Sequence, residues 1–176
     1  MADLKSIPDD VKWRLAAQCA ARLPAMYDVV FRPVVKENYD ELEQEIWVGL
    51  AKLSLEIARS LQLPVKNAQQ IAESMRTVNT ILFGPDYKGE MIEVGDDGAV
   101  IVVKHCPFLK EGSVIGAPQN GTFRRCMAFA LTSQKDFNPK YASRFVRAMC
   151  MGDRQCEIKV EAEKAEENKK VDKGTS

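Results

Sequence analysis

The chain is poor in the residues that most catalytic and nucleotide-binding motifs need. It has one histidine, His105. That excludes an HExxH zinc site and any mechanism using two imidazoles. It has no excess of either charge, with 25 basic residues against 25 acidic ones. A balanced chain offers no bulk electrostatic capture of nucleic acid or of an anionic membrane, so neither is expected as a partner. No apolar run approaches the ~18 residues of a membrane span. The opening MADLKSIPDD is polar and acidic, unlike a secretory signal. There is no GxGxxG, GxxxxGK[ST], GxSxG or EF-hand loop, so a nucleotide-binding reading has no support. There is no CxxC either. The five cysteines are Cys19, Cys106, Cys126, Cys150 and Cys156. An odd count without a signal reads as reduced thiols of a cytoplasmic protein rather than a disulfide framework.

What is present is an ordinary globular composition, 45 % apolar and 28 % charged over 176 residues. That is enough for one domain with a real core. The domain is expected over 1–163, helical over 8–83 and sheet-rich over 90–163, with a disordered charged tail over 164–176. In the first helix Val11, Leu15, Cys19 and Leu23 recur at fourfold spacing and Pro24 ends the pattern, so this stripe, Cys19 included, is expected in the core. Pro33 interrupts the next stretch. In the second helix, Leu42, Ile46, Leu50, Leu53, Ile57 and Leu61 give the strongest periodicity, closed by Pro64, with Trp47 beside the stripe. The third starts at Asn67 with Gln70 three residues on, a capping-box spacing, and ends at Gly84-Pro85.

The second half turns to β patterns. Residues 91–95 and 99–104 flank Asp96-Asp97-Gly98 and read as a hairpin. Gly112, Gly116, Pro118 and Gly121 mark 109–121 as a loop. A helix over 122–134 takes Thr122 as its cap. Residues 143–150 and 156–162 read as a second hairpin, the last strand alternating cleanly between Cys156, Ile158, Val160 and the charged positions between them. The sum is α+β: an N-terminal helical layer packed on a small, mostly antiparallel sheet of two hairpins.

Chemistry, if present, rests on the thiols. By parity Cys150 and Cys156 share the inner face of the second hairpin, and Cys106 and Cys126 approach the same side. Thiolates suit Zn²⁺, Cu(I) or an iron–sulfur cluster, and are nucleophiles once their pKa falls. Free cysteine is equally at home as a small core hydrophobe. Strand alternation turns His105 and Cys106 to opposite faces. Arg124 and Arg125 beside Cys126 could clamp a carboxylate, or simply form a solvated helix face. Trp47 could line a pocket or pack in the core. The amphipathic N-terminal helix could form the interface of a homodimer.

Several segments together resemble the L-2-amino-thiazoline-4-carboxylate hydrolase family. They are Cys106-Pro107-Phe108, Cys126, Phe137-Asn138-Pro139-Lys140 and Gly152-Asp153-Arg154-Gln155-Cys156-Glu157. The segments around Glu45-Ile46-Trp47 and Leu61-Gln62-Leu63 add to the likeness. The closing hairpin also resembles the 4-vinyl-reductase-type ligand-binding domain, of a superfamily shared with TRAPP subunits and haem nitric-oxide sensors. In its zinc-bearing members a cysteine lies eight positions before the last; here Ala148 stands there and the cysteine is Cys150. The resemblance implies a small-molecule pocket with Cys106, Cys126 and Cys156 as catalytic residues and Arg124, Arg125, His105 and Trp47 around the ligand. It implies hydrolytic opening of a small heterocyclic or amidine substrate. The alternative it carries is a non-catalytic sensor-type domain, with Cys106, Cys126, Cys150 and Cys156 as candidate ligands of zinc or an iron–sulfur cluster.

Overall fold

A computed structural model describes residues 3–163. The elements run α1 (Asp9–Val35), α2 (Tyr39–Ser60), α3 (Ala68–Phe83), β1 (Lys88–Glu93), β2 (Gly98–His105), α4 (Pro107–Ile115), α5 (Gln119–Phe137), β3 (Tyr141–Arg147) and β4 (Cys156–Ala162). The strands form one antiparallel sheet in the order β1-β2-β4-β3. The two hairpins are joined edge to edge, β2 pairing with β4. The α+β architecture matches the sequence expectation. The expected tail over 164–176 lies outside the described residues.

The sheet is covered by α3 and α5 on one face. Alternation in β2 puts Ala99, Ile101 and Val103 inward, opposite Val160, Ile158 and Cys156 of β4. Ile71, Ala72, Met75 and Val78 of α3 close over them, all at most 2 % exposed. Each fully buried Ile, Val or Met contributes about 1.5–3 kcal/mol, so this interface is the main core. Asn67 caps α3 by accepting from Gln70 N at 2.9 Å. Asp97 in the β1–β2 turn accepts from Ala68 N and from the Tyr141 hydroxyl, which ties the turn to α3 and β3.

Outside this core the helical layer departs from expectation. Pro24 and Pro33 do not stop α1, which runs through both. Each proline removes one hydrogen bond, but the carbonyls set free are those of Ala20 and Val29, both exposed, where water can replace the amide. The Val11-Leu15-Cys19-Leu23 stripe does not face the core. Leu15 is 59 % exposed, and Leu23 and Cys19 are exposed too. The buried face is Ala17, Ala21, Ala25 and Asp28. This face of small residues packs on α4, and at Ala17 it meets the end of α3, where a Cβ on Gly84 would come within 2.3 Å of the Ala17 Cβ. In α2 the order is also inverted. Leu42, Ile46, Leu53 and Leu61 are exposed, while Tyr39, Glu43, Trp47, Ala51, Ser54 and Ala58 are buried.

Three local expectations are corrected. Residues 107–115 form a helix, not a loop, because Pro107 at its first turn presets the backbone and Gly116 caps it in the left-handed region at φ 73°. Thr122 lies inside α5 rather than capping it, its hydroxyl accepting from Arg125 Nη2 at 3.0 Å. Cys150 sits in a 3-10 turn, Met149–Met151, since β3 ends at Arg147.

Between α1 and α2 the chain turns at Lys36, with φ 58° and ψ −129°. That backbone suits glycine, and a side chain there stores about 1–3 kcal/mol. Lys36→Gly is expected to raise the melting temperature by a few degrees, read by thermal denaturation; an unchanged or lower value would show that the corner is unstrained.

Candidate functional site

Since α1 and α2 present their large side chains away from the core and scarcely touch each other, an open cleft lies between them. Its volume is about 800 Å³, within the ~300–1,000 Å³ typical of small-molecule sites. The floor is aromatic. Trp47 meets Phe108 edge-on at 5.4 Å and Phe129 at 6.1 Å, and Phe83 meets Phe108 at 4.8 Å. Such edge-to-face pairs hold rings in fixed orientations. One wall carries Tyr27 and Phe31 of α1, 5.9 Å apart, and the other Leu42, Ile46 and Leu50 of α2. Ile46 is 68 % exposed. These exposed apolar side chains are grouped in one cleft rather than scattered singly over the surface.

The lining includes one charged side chain, Glu43, beside Tyr39. Glu43 belongs to an ionic network that joins α1, α2 and α5. Arg125, 2 % exposed, donates through Nη1 to Glu43 Oε1 at 2.7 Å and to Asp28 Oδ2 at 3.3 Å. Asp28 is fully buried and also accepts from Arg32 Nε at 2.5 Å. Asp40 bridges Arg32 and Arg124 at 2.7 and 2.5 Å. The Tyr39 hydroxyl donates to Glu43 Oε1 at 3.3 Å, and the Arg32 guanidinium lies 4.5 Å over the Tyr39 ring. Burial pushes the Glu43 carboxyl above its ordinary range, while Arg125 pulls it back. Burial likewise raises the Tyr39 hydroxyl. Gly121 fits against this network because a Cβ there would meet Asp28 Oδ2 at 2.5 Å. The Nε of Arg125 and Nη2 of Arg32 are sealed without a partner. The network therefore orients helices more than it adds surplus stability.

The expected site residues divide between this cleft and the sheet end. Trp47 is both core and cleft floor. Arg125 is no solvated helix face and no ligand clamp, since its guanidinium is spent on Asp28 and Glu43 inside the protein. Arg124 is committed to Asp40. Cys106, Cys126, Cys150 and Cys156 do gather, close enough that charging one thiol is opposed by others. Burial dominates all four. It pushes Cys106 up to about 11 and Cys150 to about 12, and raises Cys126 and Cys156 as well. At neutral pH these are protonated thiols. Cys156 accepts from Met149 N at 3.3 Å. Among the described residues, no group of three or more His, Cys, Asp or Glu side chains is arranged to hold a metal ion. None of the four lines the apolar cleft.

His105 is exposed at the end of β2, and the Cys106 thiol is buried near Cys156. Both line a separate polar pocket of about 320 Å³ with Asp86, Lys88 and Lys110. Sequence reasoning missed Glu43, Tyr39, Phe31 and Phe108. The signal for Glu43 was its fourfold spacing between Tyr39 and Trp47, which places it on the buried face of α2.

A solved structure of similar fold is trafficking protein particle complex subunit 3 from Naegleria fowleri, covalently bound to palmitic acid. It aligns with a TM-score of 0.60 at 13 % identity, over 85 % of this chain and 96 % of that one. At that identity the likeness is one of fold. No family model and no curated protein matches the chain. No helix among the described residues is long and apolar enough to cross a membrane.

Removing Arg125 leaves the buried Glu43 without a cation and takes one of two from the buried Asp28, which keeps Arg32. Arg125→Met is expected to cost about 3–5 kcal/mol, a drop of roughly 6–20 °C in melting temperature for a chain of this size. A loss under about 1 kcal/mol would show that water reaches Asp28 and Glu43.

Proposed function

We propose that this chain is a non-catalytic binding domain for an elongated apolar small molecule, held in the cleft between α1 and α2. The observation that carries this is the cleft itself, an apolar, aromatic-floored cavity of about 800 Å³ with one charged group in its lining. The structurally similar trafficking subunit holds palmitic acid covalently. Here the cleft has no cysteine among its lining residues, so a ligand would be held without a thioester. The four clustered thiols, raised by burial, fit a reducing compartment as unreactive groups. Titration with N-phenyl-1-naphthylamine, a neutral apolar probe, is expected to give saturable binding at one site and a change in tryptophan emission from Trp47. Ile46→Asp places a charge on the exposed wall without touching the core, and should weaken the probe at least about tenfold, ~1.4 kcal/mol. No saturable binding would overturn the reading, and a ligand-free dimer that Ile46→Asp dissociates would instead make the cleft an interface between copies of this chain.

Hydrolysis of a heterocyclic carboxylate is the second reading. It is favoured by one observation, that His105, Cys106, Lys88 and Lys110 share a pocket able to take a small anion. The Cys106 thiol at about 11 weighs against it as a nucleophile. On this second reading L-2-amino-thiazoline-4-carboxylate is opened by the wild type and not by a folded Cys106→Ala variant. The binding reading expects no turnover by either, and chromatography of the products decides between them.

A further inference from the structure

The cleft offers a ligand no cation and one carboxylate. Its lining contains no lysine, arginine or histidine. The guanidiniums behind the wall are committed, Arg125 to Glu43 and Asp28, and Arg32 to Asp28 and Asp40. Glu43 has a side chain only 8 % exposed, and it borders the cavity as a buried polar group. Its two oxygens differ. Oε1 accepts from both Arg125 and Tyr39. Oε2 accepts no hydrogen bond among the described residues, and it is not among the sealed atoms that lack a partner. One carboxylate oxygen is thus fixed from behind, and the other has no donor among the described residues, in a side chain that borders the apolar trough.

Buried acceptors left unmatched by a ligand cost binding energy, and those matched by a donor set specificity. On the proposed reading of the cleft as a small-molecule site, we infer that Glu43 selects the head group: the ligand is an aliphatic or aromatic-tailed amine or alcohol whose N–H or O–H donates to Glu43 Oε2, and long-chain carboxylates are disfavoured. A carboxylate head would place like charge beside Glu43 with no free cation on the wall. Arg125 serves here as a positioning residue, holding Oε1 so that Oε2 faces the tail-binding volume.

The test is a competition series at about pH 8, where an ordinary glutamate is ionised. Dodecylamine, dodecanol, dodecyl methyl ether and dodecanoate displace N-phenyl-1-naphthylamine from the wild-type chain. The amine and alcohol should bind at least about tenfold more tightly than dodecanoate, the range a hydrogen bond to a charged group supports. The methyl ether keeps the oxygen but lacks the donor, and should fall at least about threefold behind the alcohol. Glu43→Gln should bring the amine and dodecanoate to within about threefold of each other, each affinity taken relative to that of the neutral probe on the same variant. Equal affinities across the series, or a preference that survives Glu43→Gln, would overturn the head-group inference and leave the apolar site standing. Failure of the probe itself to bind would overturn the reading beneath it. Should Glu43→Gln not fold, the alcohol against methyl ether comparison on the wild type still decides the matter.

Discussion

One buried guanidinium joins the two helices that wall the cleft to a third that packs behind them. Arg125 reaches from α5 to Asp28 on α1 and to Glu43 on α2. α1 and α2 make little contact with one another, so their relative placement depends on what each makes with α4 and α5. α1 packs on α4 through its face of small residues. The ions set the rotation of both helices about their axes. With Asp28 and Glu43 turned inward, the large apolar residues of α1 and α2 must turn outward, and the cleft is the result.

The molecule therefore has two apolar regions with different jobs. Between α3 and the sheet, branched side chains interlock and supply stability. Around Trp47 and Phe108, aromatic rings pack at fixed angles under a surface left open to solvent. Cys156 packs against the first region and Cys106 against the second, and burial raises both thiols. The cleft lies over the second. The thiol cluster thus sits where the two regions meet, outside the cleft lining.

The elements with local signals were legible in the sequence. Asn67 and Gln70 announce the start of α3, Asp96-Asp97-Gly98 announces a turn, and alternation in β4 names its inner face. Helical periodicity also placed α1 and α2, but it assigned the wrong face to the core. Periodicity reports that a helix has an apolar face, not what that face meets. The deciding partners are distant along the chain: Arg125 lies 97 residues from Asp28 and 82 from Glu43. A charge reads as surface until its counter-ion is known, which is why Glu43 was missed while Trp47, an aromatic, was noticed. Similarly, glycines and a proline suggested a loop over 109–121, although Pro107 and Gly116 are start and stop signals of a short helix.

The two prolines of α1 have a mechanical meaning. Pro24 and Pro33 each take one rung from the hydrogen-bond ladder of a cleft wall, and helices bend most easily at such points. Asp28 lies between them, pinned by Arg125 and Arg32. The wall is then a rod clamped at its centre and jointed on either side of the clamp. The acid network thus fixes the stretch of α1 that lies between its two missing rungs.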